Sequence, residues 1–567
     1  MMLKTYPTSF LLPKRLKLVT AARRFDPDHR AKASTDTSTS PPSHSHARAH
    51  SQTITISSSV DAATLPPSSR SQHHHHNRQR QRQHAATPTP IAPQPPTLTT
   101  RSGKMSVAFF PLGYKEAAQQ WWTSVSSRQA ERDVLSLVPF LREADSDNSH
   151  LQDLTKADPF GQRVWRSSMV QLSGKNRALN ELSIERVGEQ VDDTLVMLHG
   201  YGAGLGFFYK NFEPLSRVPG WRVFALDMLG MGNSARPTFK IHAKDPQGKI
   251  EEAESWFIDA LEEWRKVRNI EKFTLMGHSL GGYLAVSYAL KYPGRLNKLI
   301  LASPAGVPEN PYAVNANLPE PDDSTLANEF TQDQESIVRR ESVGDNKKFM
   351  GAKDKKAAAK TDTTTPPKRN MPSWFVWLWD ANVSPFSIVR LTGPLGPRFT
   401  SGWTSRRFNH LPGDEKDVLH TYAYSLFRQK GSGEYVLPYL LAPGAYARSP
   451  VINRIQEVGR QLIKPATENS PAIRETGIPI VLMYGENDWM DVAGGFAAEE
   501  KIKQRVTKVL LHGTEEERTK ENGSAKVVVV TKAGHHLYLD NPDEFNAFIR
   551  KELEETREHG QRQRASA

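Results

Sequence analysis

Short runs of apolar residues recur along the chain from about residue 194, and each run is followed by a glycine-rich or polar stretch. The runs are rich in Val, Leu and Ile, and segments of helical character separate most of them. This rhythm is typical of an α/β fold, a mostly parallel sheet of buried strands with helices on both faces. The predicted strands are residues 194–198, 222–226, 273–276, 298–301, 479–483 and 526–531.

The rhythm of predicted strands stops after Ala302 and resumes at Pro479, an interval too long for a loop. We therefore predict a large helical cap inserted into the sheet domain. Residues 106–165 form an amphipathic, helix-like stretch before the sheet, and residues 513–525 form a charged surface loop. A C-terminal helix is predicted over residues 542–558. The predicted organisation is a first core part over 105–304, a cap over 305–476 with a disordered stretch over 343–372, a second core part over 477–558, and a disordered C-terminus over 559–567.

Residues 1–104 differ in composition from the rest of the chain. They hold 15 Lys and Arg but 4 Asp and Glu, and residues 27–104 consist mostly of Ser, Thr, Pro, His and Gln. Such a segment cannot bury enough apolar surface to offset its conformational entropy, so we predict a disordered tail. Residues 1–25 combine basic and apolar side chains without an acidic one, the pattern of a mitochondrial transit peptide. An ordinary basic terminus and a gene-model extension are the alternatives.

The formal net charge of +12 belongs almost entirely to this tail. The whole chain has 74 basic and 62 acidic residues, which leaves 59 and 58 after residue 104, so its charge predicts no nucleic-acid partner. The absence of Cys excludes a disulfide scaffold, a thiolate metal site and a cysteine nucleophile. No run of 18 apolar residues occurs, so no membrane-spanning helix is predicted.

A G-x-S-x-G pattern directly follows the predicted strand 273–276 and precedes a helix-like segment; its residues are Gly277, His278, Ser279, Leu280 and Gly281. A strand, a sharp turn and a helix in that order form a nucleophile elbow, which exposes a serine hydroxyl above the sheet. The flanking glycines leave room for the tight turn. The pattern predicts Ser279 as nucleophile and the Leu280 N–H as one donor to a developing oxyanion.

A glycine-rich loop follows the predicted strand 194–198 and begins His199-Gly200-Tyr201-Gly202. The second oxyanion donor of such an elbow comes from a loop of this kind, which here indicates the N–H of Tyr201, with Gly202 as the neighbouring candidate. The loop lacks the third glycine of a dinucleotide fingerprint and the Lys-Ser/Thr of a P-loop, so phosphate binding is the weaker interpretation.

A serine hydroxyl needs a base, and the base needs an orienting acid. His535 follows the last predicted strand, and Asp488 follows the strand before it. The order Ser, Asp, His is the order in which this type of triad occurs along a chain. Asp491 is an alternative acid. His536 is the less favoured base, because adjacent residues on an extended chain point in opposite directions.

These segments together resemble the α/β-hydrolase fold superfamily, and most of all its lipid-handling branch. That branch contains fungal mitochondrial cardiolipin-specific deacylases and animal lipid-droplet-associated phospholipid hydrolases or acyltransferases. The narrower resemblance rests on an H-x4-D box from His535 to Asp540 and on the cap segment 391–397. Some members of the branch have asparagine in place of the elbow serine and act as coactivators, whereas this chain keeps Ser279. The matching segments are 198–204, 227–234, 277–282 and 534–540, within roughly 106–342 and 373–555.

An aromatic run in the predicted cap indicates contact with lipid. A short apolar stretch rich in tryptophan beside arginines suits the headgroup region of a membrane. The alternative is that these side chains pack the cap over the sheet. The predicted membrane-contacting residues are Trp374, Phe375, Trp377 and Trp379.

The sequence and the resemblance together predict a serine esterase that removes or transfers fatty acyl chains of glycerophospholipids, with cardiolipin in mitochondria as the implied setting. The chemistry requires no cofactor and no metal. The alternatives are a lysophospholipid (lysophosphatidic acid) acyltransferase, a soluble small-ester or peptide hydrolase, and a non-catalytic lipid-surface adaptor. The expected location is peripheral to the mitochondrial inner membrane, with the surface of a lipid droplet or of the endoplasmic reticulum, or the cytoplasm, as alternatives.

Overall fold

The computed structural model describes residues 110–143, 158–309, 382–442 and 444–566. The predictions for the tail over 1–104, for the stretch 343–372 and for the aromatic run of Trp374, Phe375, Trp377 and Trp379 fall outside these residues and stay predictions.

A nine-stranded sheet is the centre of the described structure, with the strand order β1-β2-β3-β5-β4-β6-β7-β10-β11. The β2–β3 and β3–β5 pairs are antiparallel and the other neighbours are parallel, which confirms the prediction of a mostly parallel sheet. Strands β8 and β9 form a separate antiparallel pair. The strands are β1 (Arg142–Glu143), β2 (Arg163–Gln171), β3 (Ala178–Arg186), β4 (Asp193–Leu198), β5 (Trp221–Leu226), β6 (Phe273–His278), β7 (Leu296–Ala302), β8 (Leu462–Lys464), β9 (Ile473–Arg474), β10 (Pro479–Gly485) and β11 (Ser524–Val530).

The six predicted strands are present as β4, β5, β6, β7, β10 and β11, within two residues at each end. The antiparallel pair β2 and β3 was not predicted from the apolar pattern, because polar side chains are buried in it. Asn180 and Glu181 of β3 are buried. The Asn180 amide donates to Asp227, and Glu181 accepts from Trp264 and Arg268. Partners distant in sequence therefore allow polar residues to occupy this part of the sheet.

Helices cover both faces of the sheet, as predicted. Alternate residues of β4 enter two separate apolar clusters: Val196 and Leu198 join one, and Leu195 and Met197 join the other. The α-helices of the described residues are α1 (Tyr114–Thr123), α2 (Ser127–Leu135), α3 (Tyr209–Leu215), α4 (Pro246–Val267), α5 (Leu280–Lys291), α6 (Pro385–Leu391), α7 (Gly396–Arg407), α8 (Gly413–Phe427), α9 (Leu437–Leu440), α10 (Val492–His512), α11 (Glu515–Lys520), α12 (Leu537–Asp540) and α13 (Pro542–Ser566).

The inserted cap lies between β7 and β10 and is mainly helical in its described part, from α6 to α9. Helix α1 packs against the cap: the Leu112 N–H donates to the Ser401 hydroxyl, and the Arg398 guanidinium lies 4.3 Å from the centre of the Tyr114 ring. The β8–β9 hairpin, which the apolar pattern does not indicate, closes the insertion before β10. None of the described helices is long and apolar enough to cross a bilayer.

Two predictions near the C-terminus are wrong. Helix α13 continues to Ser566, so residues 559–566 are helical rather than a disordered end. Gly560 disfavours a helix by only about 1 kcal/mol, and its good helix-forming neighbours continue the helix past it. The charged stretch 513–525 contains helix α11, because Thr514 and Glu517 form a reciprocal capping box at its start.

Candidate active site

Four neighbouring strands, β6, β7, β10 and β11, end at one edge of the sheet and position the polar residues of the site. Ser279 follows β6, Ser303 follows β7, Asp488 follows β10 and His535 follows β11. Parallel strands lie about 4.8 Å apart, so their carboxyl ends bring residues that are distant in sequence into contact. This edge is where ligands bind in open α/β sheets.

Ser279 occupies a strained turn between β6 and α5. Its φ of 53° and ψ of −117° lie outside the regions that L-residues usually adopt. The turn is held because the Ser279 N–H donates to the Ala302 carbonyl at 3.0 Å, while its own carbonyl accepts from Ala305 at 3.1 Å. A Cβ on Gly277 would lie 2.3 Å from the Gly281 carbonyl oxygen, so the predicted requirement for small residues around the serine is met.

His535 contacts two side chains through its Nδ1 atom. The distance from Nδ1 to Asp488 Oδ1 is 3.2 Å, and that to the Ser303 hydroxyl oxygen is 2.7 Å. The same hydroxyl lies 2.5 Å from Asp488 Oδ2. All three residues are buried.

The polarity of these contacts fixes the tautomer of the imidazole. An ionised carboxylate only accepts hydrogen bonds, so the Ser303 hydroxyl donates to Asp488 and accepts from Nδ1–H of His535. Nδ1 therefore carries the proton, and Nε2 keeps the lone pair that a general base needs. Asp488 is held in turn by the Met490 N–H, at 3.0 Å from Oδ1.

Asp491, the alternative acid, does not reach the imidazole. It is exposed at the N-terminus of α10, where its side chain accepts the Ala493 N–H at 2.8 Å. This is the ordinary geometry of a helix N-cap. The structure thus places Asp488, rather than Asp491, beside His535.

Aromatic rings enclose His535 on several sides. The ring centres of Trp489, His278 and His536 lie 4.7, 4.8 and 5.4 Å from that of His535. The His278 Nε2–H donates to the His535 carbonyl at 3.0 Å, which ties the elbow to the histidine loop. Burial, together with the nearby His535, lowers the pKa of His278 well below its usual value. His278 is therefore neutral and supports the base without competing for its proton.

The loop after β4 contributes backbone donors beside the elbow. Among the described residues, the N–H groups of Tyr201 and Leu280 have no hydrogen-bond acceptor, which leaves both available to a ligand. His199 lies beneath the loop, fully buried, with Nδ1 2.7 Å from the Gly200 carbonyl. Its Nε2 accepts the Met228 N–H at 3.2 Å. His199 therefore shapes the loop and is not exposed to the site.

Asp540, the last residue of the H-x4-D box, holds the loop that contains His535. Its Oδ2 accepts the Gly534 N–H at 3.0 Å, and its Oδ1 lies 3.4 Å from Nη2 of Arg407 on cap helix α7. Arg407 is 2% exposed, and its Nε and Nη1 have no hydrogen-bond partner among the described residues. The pair connects the cap to the backbone immediately before His535.

Ser279 and His535 line one cavity, which is partly open to solvent. No hydrogen bond joins the two side chains in the described structure. Such bonds are often long without substrate and shorten in the reacting complex. No group of three His, Asp or Glu side chains in the described ranges is arranged to hold a metal ion. The other described residues that line the cavity of Ser279 and His535 are Gly200, Tyr201, Gly202, His278, Phe386, Trp403, Phe427, Trp489 and His536.

The α/β-hydrolase fold is the description of the family model that matches residues 193–542, more than half of the chain. The chain belongs to the α/β-hydrolase family. The predicted resemblance to this superfamily is confirmed, as is the fold.

Relatives of this α/β-hydrolase have names that refer to lipids. A 1-acylglycerol-3-phosphate O-acyltransferase of Arabidopsis thaliana is 29% identical over 74% of this chain and 78% of its own length. A (lyso)-N-acylphosphatidylethanolamine lipase of Mus musculus is 28% identical over 64% of this chain and 79% of its own. A 1-acylglycerol-3-phosphate O-acyltransferase of Saccharomyces cerevisiae is 27% identical over 62% and 79%. These matches agree with the predicted lipid-handling branch.

Two residues of this α/β-hydrolase site, Ser303 and Arg407, are not among the predicted site residues. Ser303 comes two residues after the predicted strand 298–301, so its place at a strand end, like that of Asp488 and His535, was a signal for it. Arg407 had no signal in the sequence, because its contact with Asp540 joins residues 133 positions apart through the docking of the cap.

Proposed function

We propose that this α/β-hydrolase is a serine esterase that removes or transfers fatty acyl chains of glycerophospholipids. The observation that carries the proposal is the chain of contacts from Asp488 through Ser303 to His535, beside the strained Ser279 in one cavity. The names of the plant, mouse and yeast relatives support a phospholipid or an acyl lipid as substrate.

In the proposed first step, the Ser279 hydroxyl attacks the ester carbonyl while Nε2 of His535 accepts its proton. The negative charge that develops on the carbonyl oxygen is stabilised by the N–H groups of Leu280 and Tyr201. Asp488 and Ser303 stabilise the imidazolium that forms. The carbon–oxygen bond to the leaving lysolipid then breaks, and His535 returns the proton to the departing alkoxide.

In the second step, His535 activates a new nucleophile, which attacks the acyl-enzyme and releases Ser279. Water as the nucleophile gives a free fatty acid, and the protein is then a deacylase. The hydroxyl of a lysophospholipid gives a new phospholipid, and the protein is then an acyltransferase. The names of the plant and yeast relatives favour this second candidate, which uses the same acyl-enzyme.

The direct test is to incubate purified protein with a mixed phospholipid extract and to identify the lyso-species that appear by mass spectrometry. Wild-type protein should generate lysolipid and free fatty acid, or exchange acyl chains when a lysolipid is added. The Ser279→Ala variant should do neither while its thermal melt stays within a few degrees of wild type. An active Ser279→Ala variant would refute the proposal. Failure of a fluorophosphonate to label Ser279 would favour the non-catalytic adaptor.

Peripheral contact with a membrane is also part of the proposal, and exposed apolar side chains support it. On helix α1, Trp122 is 81% exposed, and on cap helix α6, Leu391 is 86% exposed and Ile388 is also exposed. Large apolar groups exposed on neighbouring elements are typical of interaction surfaces. Helix α6 also supplies Phe386 to the cavity, so Ile388 and Leu391 belong to an element that borders the site.

Flotation with anionic liposomes tests membrane contact. The double variant Trp122→Ser/Leu391→Ser should float less than wild type. Leu511→Ser, which removes an exposed leucine from α10, is the matched control and should float like wild type. If the double variant floats as well as Leu511→Ser, the surface formed by Trp122 and Leu391 does not contact the membrane. If the wild type does not float at all, the alternative of a soluble small-ester hydrolase is favoured.

The proposed location is the mitochondrion, with cardiolipin as the candidate substrate. The basic and apolar pattern of residues 1–25 supports import. Imaging of fluorescent fusions with and without residues 1–104 tests it. The full chain should localise to mitochondria and the shortened chain should not; the same cytosolic signal from both would contradict the proposal.

A further inference from the structure

A second cavity adjoins the cavity of Ser279 on the side of the Tyr201 loop. It is partly open to solvent, and we refer to it as the side chamber. Four of the described residues line both spaces and therefore form a wall between them: Tyr201, Gly202, Phe386 and Phe427. The other residues around the side chamber are Ala203, Gly230, Met231, Gly232, Arg236, Leu426 and Glu434.

Phe386 is the central part of this wall. Its ring stacks on Phe427 with a centre-to-centre distance of 4.6 Å and lies 5.3 Å from the Tyr201 ring. A Cβ on Gly202 would lie 2.9 Å from the tip of the Phe386 ring, so the ring lies directly against the loop that carries the Tyr201 N–H. Phe386 belongs to the seven-residue helix α6, at the beginning of the described part of the cap. Removal of this ring would open one space into the other.

The described part of the side chamber offers little to a polar ligand, because the two charged side chains among its described residues are already engaged by the protein. Arg236 donates to the carbonyl oxygens of Gly230, Gly232 and Lys430 and to the Gln429 side chain. Glu434 accepts two hydrogen bonds from Arg390. The other lining residues are glycines, alanine and large apolar or aromatic side chains. A wall of this kind binds hydrocarbon by burial of apolar surface.

We propose that the side chamber is the subsite for the fatty acyl chain, and that Phe386 is the residue that sets how much of a long chain enters it. The inference rests on the proposed esterase function, since it places the ester carbonyl at Ser279. The first carbons of the acyl chain occupy the cavity of Ser279, and the carbons beyond them reach the Phe386 ring. Long chains enter the side chamber when this ring moves aside, whereas short chains never reach it.

The test compares p-nitrophenyl butyrate with p-nitrophenyl laurate. The quantity measured is the ratio of kcat/KM for laurate to kcat/KM for butyrate. Phe386→Ala opens the wall and should raise this ratio about tenfold, since even one methylene in an apolar pocket changes specificity by tenfold or more. Leu426→Phe fills the chamber from α8 and should lower the ratio. Phe399→Ala is the matched control, because Phe399 packs on Phe110 and lines neither space; its ratio should equal that of wild type.

A second measurement needs no catalysis. In the Ser279→Ala background, isothermal titration calorimetry with laurate should show tighter binding with Phe386→Ala and weaker binding with Leu426→Phe. Thermal melts confirm that each variant is folded. If both substitutions leave the ratio and the laurate affinity unchanged, the side chamber is not the acyl subsite, although Ser279 can still be the nucleophile. If laurate binding follows the substitutions but ester hydrolysis does not require Ser279, the subsite stands and the proposed function fails.

Discussion

Ser303 is the residue whose replacement tests the proposed base most sharply. Its hydroxyl makes the shorter of the two contacts of His535 Nδ1, because Nδ1 lies 2.7 Å from that oxygen and 3.2 Å from Asp488 Oδ1. The Ser303→Ala substitution removes one oxygen atom and leaves Ser279, His535 and Asp488 unchanged. We expect kcat to fall and KM to change little, because the hydroxyl contacts the base and not the substrate.

The structure allows the size of this effect to be worked out. The substitution removes one hydrogen bond to Asp488 and one to the imidazole, and leaves the longer contact between Nδ1 and Oδ1. A hydrogen bond to a charged group contributes about 1.5–3 kcal/mol. At about 1.36 kcal/mol for each factor of ten in rate, kcat should fall about 10- to 150-fold. This is less than the roughly 10⁴-fold loss expected when the orienting carboxylate itself is replaced.

The free energy of unfolding should also decrease. Within the part of the chain that the structure describes, the buried Oδ2 of Asp488 then keeps only the Gly485 N–H, at 3.4 Å, so Ser303→Ala should cost about 1–3 kcal/mol. Ser303 has a φ of 47°, a conformation that glycine adopts without strain. Ser303→Gly should therefore be more stable than Ser303→Ala and yet lose the same activity. A purely structural role for Ser303 predicts instead that activity returns with stability.

The assay is steady-state hydrolysis of p-nitrophenyl butyrate, combined with urea denaturation of each variant. Ser425→Ala is the matched control, since Ser425 is also buried and its hydroxyl donates to the Tyr422 carbonyl within helix α8. It should keep wild-type kcat. A Ser303→Ala variant with kcat within twofold of wild type would show that the hydroxyl between Asp488 and His535 has no part in the reaction.

Three further predictions follow from the geometry. Asp540→Ala leaves the buried Arg407 guanidinium without its carboxylate and should lower the free energy of unfolding by about 3–5 kcal/mol, measured by urea denaturation. An additional Arg407→Met substitution should recover part of that loss. If the effects of the two substitutions on the free energy of unfolding simply add, the two residues do not interact. Asp491→Ala removes the N-cap of α10 and should cost about 1 kcal/mol without a change in kcat, whereas a collapse of kcat would identify Asp491 as the acid. Burial, followed by the charge of Asp227, raises the pKa of Glu131 from 4.5 to about 8. The folded state therefore keeps a proton that the unfolded state loses, so the free energy of unfolding should fall as the pH rises from about 4.5 to 8. Glu131→Gln should make the free energy of unfolding less dependent on pH in this range. If the pH dependence of the variant equals that of wild type, Glu131 is not its source.

The parallel part of the fold was predictable from the sequence because its strands are buried on both faces. β4 and β6 are buried along their whole length, so they read as continuous apolar runs. β3 is also largely buried, but it carries Asn180 and Glu181. Their partners Asp227 and Arg268 lie 47 and 87 positions away. A pattern of apolar residues cannot indicate such pairs, because only the tertiary structure brings them together.

The candidate site was predictable where a local pattern marks a strand end. The elbow around Ser279 has such a pattern, and His535 follows a glycine that comes shortly after an apolar run. The choice between Asp488 and Asp491 depended on where β10 ends and α10 begins, and boundaries of this kind are not fixed by the pattern alone. Ser303 also comes shortly after a predicted strand, but no local motif like the one around Ser279 marks it.

Trapping the acyl-enzyme tests the central claim most directly. Purified protein is mixed with a phospholipid of one defined acyl chain, quenched in acid within the first turnover, digested and analysed by mass spectrometry. The peptide that contains Ser279 should gain the mass of one acyl group, and the Ser279→Ala and His535→Ala variants should show no such adduct. Lysolipid formation at the wild-type rate with Ser279 unmodified, and undiminished in Ser279→Ala, would contradict the account.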